Sequence, residues 1–250
     1  MKKFFFATAF ICLACSATRA QEVVADTVMA PGFIPSYAVK WSPASLYFGK
    51  IGLQGEYNFK KKKSVTFAVG VPMSKKTTVQ IDDEDREVEM KTFSAMAGYR
   101  MYLGKKTMTG VYFEPYLKYL KNDAATVIST DLDGTPTDLI TTSKYSAFGV
   151  GGQLGVQFMI AKTVVFDFYF LGPEANMAKH NLIVHDNSGG SWDAQEAQDA
   201  EDEIMSTIGD VPIIGKKINV EVDAATKTVT SDYSGFLPGI RFGLSVGIRF

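Results

Sequence analysis

The sequence is poor in the residues that enzyme sites commonly draw on. It holds two cysteines, Cys12 and Cys15, and two histidines, His180 and His185. Both cysteines fall within the first twenty residues, so the remainder offers neither disulfides nor thiolate chemistry. Positive charge is not in excess: 26 basic residues stand against 27 acidic ones. Nothing therefore meets the phosphates of nucleic acid. After residue 20 there is no long apolar run, which excludes a helical membrane span. A membrane protein built from this chain has to be a barrel of strands.

The start, MKKFFFATAFICLACSATRAQ, sets Lys2 and Lys3 ahead of an apolar stretch from Phe4 to Cys15, with the small Ala20 before Gln21. That is the layout of a secretory signal peptide, too short to cross a bilayer as a helix. Cleavage is expected after Ala20, so that residues 1–20 are removed. Acylation at Cys15 fits less well, because Cys12 stands where a lipoprotein signal has an aliphatic residue. Loss of Lys2, Lys3 and Arg19 leaves 23 basic against 27 acidic residues, a net charge of −4. Residues 21–33 follow as a periplasmic leader, broken by Pro31 and Gly32.

What the chain has in abundance is alternation. From Phe236 to Phe250, FLPGIRFGLSVGIRF, every even position is apolar, and the odd ones, Leu237 apart, are Gly, Ser or Arg. This is the period of a strand with one greasy face. Glycine and arginine opposite suit a narrow polar lumen, so the greasy face belongs to lipid. The same rhythm predicts seven earlier strands: Ile34–Ser42, a second ending at Phe59, Ser64–Pro72, Thr92–Leu103, Val111–Lys121, Lys144–Ile160, and one carrying Val164, Phe166, Phe168 and Phe170. KKKK at 60–63, GKKT at 104–107 and AKT at 161–163 are tight turns. Residues 74–91 and 122–143 read as long loops. The longest excursion, 174–235, is expected to hold an acidic helix capped by Ser191 and a hairpin in INVEVDAATKTVTSDY.

The expected fold is all-β: an eight-stranded antiparallel up-and-down transmembrane β-barrel over 34–250, with a partly helical surface excursion between strands seven and eight. Short turns on one rim and long loops on the other make the outer-membrane plan, with turns and both termini periplasmic. A soluble lipocalin-like barrel would need charges facing water on strands that mostly lack Lys or Glu.

The terminal GLSVGIRF resembles the C-terminal assembly signal of bacterial outer-membrane proteins, in which alternating apolar residues end on an aromatic. AVKWSPASLYFGKIGLQGEYNFKKKKSVTFAVGVP resembles the opening hairpins of outer-membrane barrels common in Bacteroidota, and in size the barrel is similar to the OmpA/OmpX class. The resemblance implies that Phe242, Leu244, Val246, Ile248 and Phe250 are read by the barrel-assembly machinery, after escort by periplasmic chaperones. Outer-membrane lipid is then the surrounding partner, and any surface ligand is left open. Asp26-Thr27-Val28 resembles a short O-glycosylation acceptor of exported Bacteroidota proteins.

Eight charges are expected inside: Lys40, Glu56, Arg100, Glu114, Lys118, Asp167, Arg241 and Arg249. An eight-stranded barrel is filled by its side chains, so these form an ion-pair plug rather than a conduit. Arg241 is expected to pair with Glu56 or Asp167, and the excess of positive members requires one wet end. DLDGT, 131–135, has the residues of a phosphatase nucleophile motif but no parallel-strand setting, and reads as a polar turn. Asp82, Asp83, Glu84 and Asp85 read as a solvated charged loop rather than a Ca²⁺ site, since consecutive acids cannot all converge on one ion. A lipid-acting enzyme would need His180 or His185 beside Ser188, Ser191 or Asp186, and nothing in the sequence orders these groups. No catalytic set and no cofactor is expected. The function expected is a structural or surface-binding envelope barrel, with a rim enzyme or a narrow conduit as alternatives.

Overall fold

Alternating sequence becomes a closed sheet. The computed structural model describes residues 34–81, 84–132, 135–209 and 217–250. Its strands are β1 (Ser36–Ser42), β2 (Lys50–Lys60), β3 (Lys63–Pro72), β4 (Lys75–Ile81), β5 (Glu84–Tyr102), β6 (Gly110–Leu132), β7 (Thr135–Ile160), β8 (Val164–Asp186), β9 (Ile218–Asp223) and β10 (Thr228–Arg249). Eight of them close a ring in the order β1–β2–β3–β5–β6–β7–β8–β10, and β10 returns to β1. All neighbours are antiparallel, and a short helix, α1 (Ala194–Gly209), lies between the last two ring strands. This is the eight-stranded barrel that the alternation predicts. The expected signal peptide, leader and Thr27 lie outside the described residues.

Within the apolar band the ring strands send mainly apolar side chains outward and polar ones inward. On β2, Ile51 and Leu53 are exposed while Gln54, Glu56 and Asn58 are buried. Around the wall, Tyr119, Phe148, Met177 and Phe236 are successive cross-strand partners on β6, β7, β8 and β10. Two residues higher, the partners are Lys121, Ser146, Lys179 and Ser234. The apolar band ends between these rows, with aromatic rings at its edge as the interface favours.

The strands do not end there. Residues 74–91 and 122–143, expected as loops, are mostly ladder: β4 pairs with the first residues of β5, and β6 stays paired with β7 out to Leu132–Thr135. At about 3.3 Å per residue β7 is ~85 Å long, well beyond the ~10 residues that a membrane strand needs. These stretches are rich in Thr, Val and Ile, which favour strands, but both of their faces are polar enough to hide the period. β8 likewise continues past Pro173 to Asp186, because a bulge lets Phe170 and Leu171 both face outward and then inverts the phase. Within the expected excursion, 174–235, the outer parts of β8 and β10 therefore pair with each other, and β9 folds back on β10.

The helix start also differs from expectation. Asp193, not Ser191, caps α1: its Oδ1 accepts from the N–H groups of Gln195 (2.8 Å) and Glu196 (2.9 Å), while Glu196 reaches back to the N–H of Asp193 (2.7 Å). This reciprocal box satisfies donors that a helix start leaves open.

The ring closes over a short distance. Ala38–Trp41 pair with Val246–Arg249, and Tyr37 and Phe250 exchange backbone hydrogen bonds of 3.2 and 2.8 Å. After Ser42 the chain turns into a 3₁₀ helix, Pro43–Phe48, and reverses at Gly49, whose φ of +64° suits a residue without a side chain.

Candidate functional site

Inward residues of the half nearest the tight turns converge on one cluster. Lys40 Nζ donates to Glu56 Oε2, Gln157 Oε1 and Asp167 Oδ2, each at 2.7 Å. Beside it, Arg100 Nη1 lies 3.3 Å from Glu56 and donates to Gln157 and Asp167 at 2.8 Å, while its Nε donates to Glu114 Oε2 at 2.7 Å. The guanidinium lies 3.7 Å from the centre of the Tyr112 ring. Three carboxylates thus face two cations. Hydroxyl donors relieve the excess: Tyr102 to Glu56 (2.6 Å), Tyr112 to Asp167 (2.6 Å) and Thr66 to Glu114. All five charged side chains are fully buried. Side chains from β1, β2, β5, β6, β7 and β8 meet here, so the lumen is filled at this level.

Above the cluster the lumen opens. Tyr116 donates to Glu174 Oε1 (2.9 Å) and Lys118 pairs with Glu174 Oε2. Arg241 Nε donates to Gln153 Oε1 (3.0 Å), with its guanidinium 4.8 Å from the Tyr169 ring centre. Lys50 Nζ donates to Ser94 Oγ (3.0 Å). These residues, Tyr116 and Gln153 apart, line a cavity of about 500 Å³ that reaches from Gln54 and Met96 to Ser45.

The family model for the outer membrane protein beta-barrel domain matches residues 8–198. The chain belongs to this family of outer-membrane barrels. No curated protein and no solved structure matches it. An integral outer-membrane barrel is expected to sediment with the outer membrane and to run faster on gels unheated than boiled. Recovery in the soluble fraction, or mobility unchanged by heating, would contradict the assignment.

The barrel gathers five of the eight charges read from the sequence, Lys40, Glu56, Arg100, Glu114 and Asp167, into one network. Lys118 stands apart with Glu174, and Arg249 sits at the tight-turn rim, donating to Ser36 Oγ (2.7 Å) and lying 3.5 Å from Met159 Sδ. Arg241 does not reach Glu56 or Asp167 as expected. It occupies the upper cavity, a level above them. Glu174, Lys50 and the donors Tyr102 and Tyr112 were not singled out. Glu174 is masked in sequence by the Phe170–Leu171 bulge, whereas both tyrosines follow the even, inward parity of their strands.

The remaining candidates do not assemble a catalytic set. Asp186 Oδ1 accepts from the N–H of Ser188 (2.8 Å), and His185 Nδ1 meets Thr228 Oγ1 at 3.1 Å. His180 Nε2 lies 2.9 Å from Ser143 Oγ, a residue outside the expected set, and among the described residues no carboxylate hydrogen-bonds its other nitrogen. Within DLDGT, Leu132 and Thr135 are cross-strand partners of antiparallel strands, which is not the setting of a phosphatase nucleophile. Asp82 and Asp83 lie outside the described residues. Of the residues expected to form the C-terminal signal, Phe242, Leu244, Val246 and Ile248 alternate along β10 and Phe250 follows its end; all are exposed except the half-buried Val246.

Proposed function

We propose that this barrel is a sealed, non-enzymatic protein of the envelope, with its tight turns and both termini in the periplasm and its tall wall presented at the cell surface. The observation that carries the reading is the buried Lys40–Arg100–Glu56–Glu114–Asp167 cluster, joined by Gln157, across the lumen. A conduit would require these groups to part, and each separated charge in so narrow a space costs several kcal/mol. The surface-binding role is supported by the wall itself. Above the apolar band the strands β4 to β10 form an open sheet, because β1, β2 and β3 stop at Ser42, Lys50 and Pro72.

In planar bilayers the wild-type barrel is expected to show no stepwise conductance, while Glu114→Ala combined with Asp167→Ala opens measurable events. Steady channels from the wild type would replace this reading with the conduit.

A further inference from the structure

The barrel wall has a gap at membrane depth. One edge of β10 is paired with β8 along nearly its whole length. The other edge pairs with β9 from Thr228 to Tyr233 and with β1 from Val246 to Arg249. Between Ser234 and Ser245 no strand among the described residues covers that edge. Phe236, Ile240, Phe242 and Leu244 nevertheless belong to the apolar outer face, and Phe236 lies in the aromatic row at its border. At this depth the β10 edge faces the Pro43–Phe48 turn instead of a paired strand.

The upper cavity runs into the gap. Its lining comes from both banks, Ser42 and Phe48 on one side and Ile240 to Gly243 on the other. Arg241 and Gly243 face the lumen, whereas Ile240 and Phe242 face outward and are 62 % and 74 % exposed. The cavity thus forms a passage lined by both banks of the unpaired edge, the Pro43–Phe48 turn and β10.

The inner end of that passage is positively charged. Lys50, Lys118 and Arg241 line it against one carboxylate, Glu174, which is already engaged by Lys118 and Tyr116. Among the described residues Lys50 and Arg241 donate to the neutral Ser94 and Gln153, and Arg241 also lies over the Tyr169 ring. The floor below is the buried ion-pair cluster, whose charges are paired with one another.

We propose that the barrel binds an anionic amphiphile from the surrounding leaflet, with the headgroup over Lys50, Lys118 and Arg241 and the acyl chain leaving between β10 and the Pro43–Phe48 turn. This rests on the sealed-lumen reading, which supplies the floor under the headgroup. A cavity of about 500 Å³ is of ligand size, with apolar walls and a few placed charges, as small-molecule sites are. The headgroup is a carboxylate or a phosphate monoester, either of which matches an arginine and two lysines.

The test uses the mature protein in an uncharged maltoside detergent, titrated with 11-(dansylamino)undecanoate and followed by dansyl emission. Saturable binding is expected, weakened at least about tenfold by Lys50→Ala with Arg241→Ala, since each lost charge-assisted contact contributes a large part of a decade or more. The methyl ester of the same probe keeps the chain and removes the charge, so on unaltered protein it should bind at least about tenfold more weakly. Heat-modifiable mobility confirms that the double variant is folded. Laurate and a lysophosphatidate as competitors separate a carboxylate source from a phosphate source, and displacement by either supports the site. Equal binding of acid and ester would overturn the proposal, as would displacement by inorganic phosphate as effective as that by lysophosphatidate. Conductance of the wild type reports separately on the seal, so a leaking barrel and an absent amphiphile site give different results.

Discussion

Arg100→Ala is expected to destabilise the barrel by about 3–5 kcal/mol, the range for removing one partner of a buried ion pair. The side chain is fully buried and faces Glu56, Glu114 and Asp167 at 2.7–3.3 Å. Its loss leaves three carboxylates with Lys40 as their single cation, in a space where water has little access. Tyr102, Tyr112 and Thr66 can still donate, but they carry no charge. Arg100→Lys should recover part of the loss, because it restores charge without the planar fork that serves Glu114 through Nε and the other partners through Nη1. Urea unfolding of the refolded protein in micelles measures both. A midpoint for Arg100→Ala equal to that of wild type would show that the lumen is wet at this level.

How much of this was legible in sequence follows from phase. A strand with lipid on one side and a narrow lumen on the other writes a strict period of two, so Lys40, Glu56, Arg100, Glu114 and Asp167 could be assigned inward before any geometry was known. Which of them meet could not. That depends on strand stagger around the ring, which brings Lys40 of β1 to Asp167 of β8 at 2.7 Å and leaves Arg241 of β10 a level higher. The period also fails wherever both faces are polar, which concealed the outer halves of β6 and β7. It fails again where a bulge spends two residues on one side, which concealed Glu174. The gap along β10 is invisible for a third reason. It arises from the shortness of β1, and the alternation of Ile240, Arg241, Phe242 and Gly243 is the same with or without a neighbour.

Deleting Phe250 is expected to lower the assembled fraction in cells severalfold while costing the refolded protein little. The residue exchanges two backbone hydrogen bonds with Tyr37, at 2.8 and 3.2 Å, and its ring is 75 % exposed at the rim. Two such bonds contribute about 1–3 kcal/mol, a modest loss for a closed barrel, although they extend the short Ala38–Trp41 closure. The kinetic effect is larger because the terminal row Phe242, Leu244, Val246, Ile248 and Phe250 resembles the segment by which the assembly machinery selects its substrates. A chain that is selected slowly waits in the periplasm with apolar rows exposed, where aggregation and proteolysis compete with insertion. Phe250→Ala separates the two effects, since it keeps both backbone bonds and removes only the ring. If recognition of the aromatic end governs assembly, Phe250→Ala should fall in cells nearly as far as the deletion, with an unfolding midpoint in micelles close to wild type. Normal assembly of Phe250→Ala beside poor assembly of the deletion would instead assign the effect to closure of β10 onto β1.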